Sequence, residues 1–464
     1  MKVVVLNGSP KGENSVTMQY VAFLQHMFCQ HEFILHHVAR EVDRLEKDEQ
    51  ALNKVVDDIA SADGVLWAFP LYVFLVHGKY KRFIELLHER AVTSVLEGKT
   101  AAIFSTSIHF FDHTAHNYMH GICDDFDMKV YGSYSAAMHD LFVESERENL
   151  LHFGEGFFKA METKTVTAKV YPPLVEHSKV YKPVKEPLKV DACGKKVVVV
   201  TDAEARQENV IRMVEQFVGH FNGDVTVTNL HTVDIKGGCL GCIRCGYDNT
   251  CVYSGKDGFI EWYNSTIKTA DIVVFAGTIR DRYLSSLWKT FFDRAFFNTH
   301  MPSLKDKQIA FIISGPLEQL PNLRQIFEGY TEWQNANLVG IVTDEPAEPG
   351  QIDELLQALA ERSVDCANRH YISPSTFLGV GGRKIFRDEI WGHLRFPFVA
   401  DHKYYKKNGI YDFPSRNYVS ILMSILVKIP AIRNALYGRL LITKMIEPYK
   451  KLLEKQKTQR KEQG

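Results

Sequence analysis

The chain has 464 residues, 45% of them hydrophobic and 24% charged, a length beyond one hydrophobic core and a composition of ordinary globular domains, two or three of them. Its formal net charge of −1 excludes the overall basicity of a nucleic-acid-coating protein, so no nucleic-acid partner is expected. No apolar run approaches the roughly eighteen residues of a membrane span, and the run VVVL at residues 3–6 is too short for the core of a signal peptide.

In chain order, KVVVLN at residues 2–7 reads as a buried parallel strand. It stops at Gly8-Ser9-Pro10-Lys11-Gly12-Glu13-Asn14-Ser15-Val16-Thr17, after which Val16, Tyr20, Phe23, Leu24 and Met27 recur at helical spacing. A strand, a turn rich in Gly and Ser, and a helix N-terminus make an anion site, because free N–H groups and the positive end of the helix dipole face the turn. The hydroxyls of Ser9, Ser15 and Thr17 add hydrogen bonds suited to phosphate oxygens. The turn lacks Gly-x4-Gly-Lys-Ser/Thr and Gly-x-Gly-x-x-Gly, and a helix cap rich in Ser and Asn accounts for the same residues without a ligand. Further strands are predicted at 32–37, 64–69, 100–106 and 129–135, with helices near 50–60, 79–90, 114–126 and 144–161. This alternation predicts an α/β, doubly wound parallel sheet with ligands at the carboxyl ends of its strands. Three loops matter there: the turn after the first strand, 70–76 after the third, and 105–114 after the fourth.

With those loops in that order, residues 1–165 resemble the flavodoxin-like NAD(P)H-dependent FMN reductases. NGSPKGENSVT resembles the family's phosphate turn. Phe69-Pro70-Leu71-Tyr72, leading into a helix with Lys79, Lys81 and Phe83, resembles its second flavin loop, and Thr106-Ser107 sits where the third meets the flavin. The resemblance implies FMN contacts from Ser9, Lys11, Asn14, Ser15, Val16 and Thr17, from Pro70, Leu71, Tyr72, Val73 and Phe74, and from Thr106, Ser107 and His109. It implies NAD(P)H as electron donor. The cofactor would carry the chemistry, so no catalytic side chain is assigned. Around the third loop, His109, His113, His116, His120 and Asp112 leave three readings open: a metal site, with His113 and His116 on one helix face; substrate or flavin contact; and plain polar surface.

Residues 166–194 carry Pro172, Pro173, Pro183 and Pro187 among lysines and read as an extended linker. From 195 to 372 the alternation restarts, with strands at 195–201, 224–229, 271–276, 308–314 and 337–343. Helices fit near 206–221, 258–269, 285–297, 322–332 and 351–368, so the expected architecture is a tandem of two such sheets.

Cys239, Cys242, Cys245 and Cys251 follow the second strand of this repeat. The Cys-x2-Cys-x2-Cys spacing lets one turn aim three sulfurs at a common point, and the fourth can close the shell around a soft metal centre. Gly237, Gly238, Gly241 and Gly246 are expected to supply left-handed backbone. A structural zinc and plain reduced thiols are the other readings. The spacing and its place after the second strand resemble iron–sulfur flavoproteins, which implies a 4Fe-4S cluster as second cofactor; residues 285–294 resemble that family's helix after the flavin loop. By contrast, the turn Thr201-Asp202-Ala203-Glu204-Ala205-Arg206-Gln207-Glu208-Asn209 carries three carboxylates that repel a phosphate, so FMN is expected on the first domain only. Flavin sites of dimeric relatives lie near subunit interfaces, which implies a homo-oligomer or an internal pseudo-dimer. Four of eight cysteines gathered in one turn favour a reducing cytoplasm.

Residues 373–464 read as a C-terminal extension. From Asp401 onward ten Lys and four Arg face five Asp or Glu, an excess that suits an anionic surface. Ile432, Leu436, Leu440 and Leu441 form a helical stripe; an arm packed on the body is favoured over peripheral membrane contact. Residues 450–464 read as a frayed polar end. Gly379-Val380-Gly381-Gly382 is too short a match to a dinucleotide turn to carry weight. The expected function is a flavin-dependent NAD(P)H oxidoreductase passing electrons through FMN and the cluster to an unidentified acceptor. The alternatives are an electron carrier without direct NAD(P)H use and a zinc-stabilised scaffold.

Overall fold

The computed structural model describes residues 1–175, 179–413 and 418–435, and beyond them 447, 449–451, 454, 455 and 458. The first domain runs β1 (Lys2–Asn7), α1 (Val16–Met27), β2 (Glu32–His36), α2 (Val38–Leu45), α3 (Glu49–Ser61), β3 (Gly64–Pro70), α4 (Gly78–Glu89), β4 (Thr100–Ser107), α5 (Asp112–Asp125), β5 (Lys129–Ala137) and α6 (Glu144–Glu162). Its sheet has the order β2-β1-β3-β4-β5 with every pair parallel. Val3, Val4, Val5 and Leu6 are fully buried, as an apolar run covered by helices on both faces must be. The order reverses between β1 and β3, so a crevice opens at their carboxyl ends.

The second domain repeats this plan: β6 (Val197–Thr201), α7 (Glu208–Gly219), β7 (Val225–Asn229), α8 (Phe259–Trp262), β8 (Ile272–Thr278), α9 (Ser286–Ala295), β9 (Gln308–Ser314), α10 (Pro321–Trp333), β10 (Asn337–Thr343) and α11 (Pro349–Asn368). Its order, β7-β6-β8-β9-β10, is the same and again all parallel. The tandem of two flavodoxin-like sheets is therefore present.

Two local expectations need correction. α2 was not anticipated, although it buries Val38, Ala39, Val42 and Leu45 at helical spacing; it is two turns squeezed between a strand and a longer helix. The single helix expected near 258–269 is the short α8 followed by a π-turn at Tyr263–Ile267. The linker lacks regular structure but is strapped down. The backbone N–H groups of Val184 and Lys185 both donate to Asp353 at 2.9 Å, and Tyr181 is 2% exposed.

Both sheets belong to one compact unit, Met1–Tyr405, which also includes α12 (Phe377–Trp391) and the start of α13 (Val399–Lys407). Gly379, Val380, Gly381 and Gly382 lie inside α12. A Cβ on Gly379 would meet Glu332 at 2.8 Å and one on Gly382 would meet Phe110 at 2.7 Å, so these glycines let α12 lie close to its neighbours. The second unit, Lys406–Gly464, has α14 (Tyr418–Leu426) and α15 (Pro430–Ala435), with Ile421, Leu422 and Ile425 exposed. Leu436, Leu440 and Leu441 lie outside the described residues. Among the described residues no helix is long and apolar enough to cross a membrane.

The two domains meet where α4 packs on α9. The contacts are reciprocal. Glu85 of α4 accepts the Ser286 N–H at 2.7 Å, at the start of α9; Asp293 of α9 accepts the Gly78 N–H at 2.8 Å, at the start of α4. Each carboxylate thus meets orphan donors and the positive dipole end of the partner helix. Each also pairs with a lysine one turn back on its own helix, Glu85 with Lys81 at 3.2 Å and Asp293 with Lys289. Lys81 reaches Asp281 as well, at 2.8 Å, and both lysines are fully buried. Replacing Lys81 by Met leaves the buried Asp281 without its cation and Glu85 with Arg82 and Arg280 alone. It is expected to lower the free energy of unfolding by about 3–5 kcal/mol in urea titrations. Arg44→Met, which removes exposed pairs to Glu41 and Asp48, is expected to cost under about 1 kcal/mol.

Candidate functional site

A cavity of about 330 Å³ lies at the carboxyl ends of the first sheet and is closed from the other side by the second domain and the C-terminal segment. Ser9, Lys11, Ser15 and Val16, Pro70 to Val73, and Thr106 with Ser107 line it, together with Cys239, Cys242, Cys245 and Cys251. The three loops and the cysteine turn, far apart in sequence, thus share one wall.

Four expected residues are not on that wall. Thr17 lies behind it, its hydroxyl 2.7 Å from that of Thr106, which ties the first loop to the third. Phe74 is fully buried against Phe111, Phe110 and Trp333. Asn14 is exposed in a single helical turn. His109 is half-exposed and pairs with Asp112 at 2.9 Å. The histidines do not converge: His113 faces Gln325 at 3.1 Å, while His116 is buried 2.6 Å from the Ser105 hydroxyl.

The first turn fits a phosphate by its own chemistry. Ser15 caps α1 by accepting the Met18 N–H at 3.3 Å. The N–H groups of Ser15, Val16 and Thr17 have no acceptor among the described residues. Orphan donors at a helix start suit an anion. The turn's acidic side chain, Glu13, is 81% exposed and leans toward His37. In the second domain Asp202 follows β6 as Gly8 follows β1. It is 4% exposed, its carboxylate accepts from the Ser285 hydroxyl, and burial pushes its acid group up. A side chain there fills the turn; at Gly8 a Cβ would meet Tyr80 at 2.7 Å.

The second loop is a tight reversal in which Tyr72 and Leu75 exchange backbone hydrogen bonds at 2.8 and 2.9 Å, with Val73 and Phe74 at positive φ. A β-branched residue at φ 29° is strained and signals a shape held by its surroundings. The second domain repeats the device at Arg280 and Tyr283.

The cysteine turn rests directly on these loops. His77 donates from Nε2 to the Cys239 carbonyl at 2.7 Å while its Nδ1 accepts the Lys79 N–H at 3.1 Å. Burial pushes His77 down to about 4, so the neutral ring satisfies both bonds. A Cβ on Gly241 would meet the Tyr72 hydroxyl at 2.1 Å and Lys11 at 3.0 Å. Of the four glycines expected to be left-handed only Gly241 is; Ile243 and Asn249 take the other such positions. Gly246 is needed for close approach instead, since a Cβ would lie 2.2 Å from the Pro397 carbonyl. Arg294 braces the turn through the Gly237 carbonyl at 2.8 Å and Asp257 at 2.7 and 3.0 Å. Burial pushes the Cys239 and Cys245 thiols up to about 12, the neighbouring cysteines adding to the effect. Among the described residues no three His, Cys, Asp or Glu are gathered as a metal ion requires.

Sequence reasoning missed part of the wall: Phe296, His300, Phe386, Leu394, Pro397 and Phe398. The aromatic richness of residues 396–418 was visible, but nothing in linear order says which rings return to a crevice built by the first domain.

Residues 1–141 match the model of a family described as NADPH-dependent FMN reductase. No curated protein matches the chain. Among solved structures, an apo NADH:FMN oxidoreductase (EMOB) is 18% identical, covering 35% of this chain and 89% of its own, with a TM-score of 0.30. FerB, a flavoenzyme NAD(P)H:(acceptor) oxidoreductase from Paracoccus denitrificans, is 20% identical over 35% of this chain and 98% of its own, with a TM-score of 0.28. An FMN-dependent NADH-azoreductase from Bacillus anthracis str. Ames Ancestor, in complex with FMN, is 14% identical over 35% and 98%, with a TM-score of 0.26.

Burial pushes His116 from the ordinary 6.5 down to about 4. Between those values the unfolded chain takes up a proton that the folded chain refuses. Stability present above pH 6.5 is therefore lost as pH falls toward 4, by about 3 kcal/mol at most. His116→Gln is expected to make this acid limb shallower in urea unfolding at pH 7 and 4.5; an unchanged limb would mean that His116 protonates inside the fold.

Proposed function

We propose, from an N-terminal domain that matches the NADPH-dependent FMN reductases, that the chain is an NAD(P)H-dependent oxidoreductase holding one FMN in the cavity. The observation that carries this reading is the convergence of all three loops of the first sheet on that cavity. Bound there, FMN would take hydride from NAD(P)H and return the electrons singly or in pairs. The chain's residues bind and orient it. The orphan N–H groups at the start of α1 and the hydroxyls of Ser9 and Ser15 receive the phosphate, with Lys11 adding positive charge. Pro70, Leu71, Tyr72 and Val73 would pack against the ring, and Thr106 and Ser107 would offer it polar contacts. The aromatic wall from the second domain and α12 keeps water away.

The cysteine turn is read as an iron–sulfur site of the 4Fe-4S kind. Its four thiols are the donor set such a centre uses, and a cluster is wider than one ion, so its ligands need not converge on a point. Buried thiols surrender their protons to a metal, so loading the site releases protons. Asp202, set where the second domain would hold a phosphate, supports a single flavin per chain. The reciprocal contacts of α4 and α9 support an internal pseudo-dimer in which one half offers the flavin loops and the other the thiols.

Purification without oxygen, with flavin, iron and zinc quantified, tests this. The expectation is FMN that NADPH or NADH bleaches, and about four irons per chain. Ser15→Asp places a carboxylate in the phosphate turn and is expected to weaken FMN retention at least about tenfold. Cys242→Ser is expected to remove iron and spare flavin. Wild-type protein without flavin would overturn the oxidoreductase reading; zinc in place of iron would return the turn to a structural role.

A further inference from the structure

His300 lies on the cavity wall, 7% exposed, on the loop after α9. Its Nδ1 is 2.7 Å from Oδ2 of Asp401. Asp401, at the start of α13, is fully buried and also accepts the His300 N–H at 3.3 Å and a contact from the Thr299 hydroxyl. The ring is held by Phe386, with centroids 4.1 Å apart, and by Phe398 at 4.6 Å, while the Tyr405 hydroxyl donates to the His300 carbonyl at 3.1 Å. Among the described residues the other ring nitrogen, Nε2, makes no hydrogen bond, and the residue lines the cavity.

The backbone that presents this ring is strained. Thr299 has φ 56° and ψ −132°, a left-handed conformation that a β-branched residue avoids. It is kept there by Asp401 and by Asn249 of the cysteine turn, whose side chain donates to the Thr299 hydroxyl at 3.1 Å. A pair that only pinned the C-terminal segment would need neither the strain nor a place on the cavity wall.

We propose that His300 is a catalytic proton donor to the electron acceptor and that Asp401 is its positioning residue. The proposal rests on the FMN reading above and deepens it: the acceptor is of the class whose oxygen or nitrogen must be protonated as it is reduced. Such an acceptor gains two electrons and one proton as hydride from the cofactor that NAD(P)H has reduced. Its oxygen takes the second proton from Nε2 of His300; the N–H bond breaks as the O–H bond forms, and the ring recovers a proton from water. Asp401 on Nδ1 fixes the ring so that Nε2 does the transfer.

The test uses the holoenzyme with NADPH and two acceptors. 2-Methyl-1,4-naphthoquinone needs protons on reduction; ferricyanide takes one electron and none. His300→Gln is expected to lower kcat with the naphthoquinone about 100-fold and to lower ferricyanide turnover far less. Asp401→Asn should give a smaller loss with the same selectivity. It should also shift the His300 Nδ1 signal in ¹⁵N-histidine spectra of the oxidised protein, because the carboxylate that accepts from Nδ1–H is gone. Equal losses on both acceptors, or an unchanged naphthoquinone rate, would overturn the proposal alone. Absence of the Nδ1–H signal in the wild-type protein would do the same. Absence of flavin from the wild-type protein would overturn this proposal and the reading beneath it together.

Discussion

The site depends on two buried carboxylates, Glu85 and Asp293, each placed at the start of the other domain's helix. An anion there satisfies backbone donors that the helix cannot satisfy itself and meets the positive end of its dipole. Burial makes this a poor source of net stability, because removing carboxylates and lysines from water costs several kcal/mol per ion, which their attraction only offsets. Its physical effect is alignment. Glu85 and Asp293 are both satisfied only when α4 and α9 meet in one register, and Lys81, pairing with Glu85 on its own helix and Asp281 across the interface, tolerates no slip either. That register fixes where Gly241 falls relative to Tyr72 and Lys11, and so where the cysteine turn meets the first domain's loops.

Duplication followed by divergence of single positions explains the asymmetry. Both halves keep the strand order, the tight reversal after the third strand and a lysine–carboxylate pair on the following helix. They part at the residue after the first strand. Glycine in one half leaves room and no charge; Asp202 in the other occupies the space with a carboxylate. Asp202 thus plugs the place that Gly8 leaves open.

Much of the fold was legible because two-sided burial imposes continuous apolar strands such as VVVL and FIIS, which no surface segment imitates. The three loops were legible for the same reason, since the carboxyl end of a parallel sheet near its switch point is set by strand order. Thr17 and Phe74 were placed on the wall but sit one layer behind it, as helical phase and a positive φ turn them inward. The histidines of the third loop share a stretch of sequence, yet α5 points His113 outward and His116 into the core, so neighbours in sequence become strangers in space. Left-handed backbone was sought at four glycines and found at Gly241, and also at Ile243 and Asn249, where tertiary contacts override the residue's own preference.

The least legible part is the most distant one. Residues 377–405 supply Phe386, Leu394, Pro397 and Phe398 to the cavity and Asp401 to His300, although composition marked them as an appendage. A flavodoxin-like sheet leaves its crevice open on one side. In this chain the second domain covers part of that side, and the close packing of Gly382 on Phe110 and of Gly246 on Pro397 draws the last helices over the remainder. The cavity's chemistry follows from that order of assembly: polar and anion-seeking at the first sheet, thiol-rich at the second, aromatic where the C-terminal segment closes it. The His300–Asp401 pair there sits at the seam, with its histidine from one segment and its carboxylate from the other.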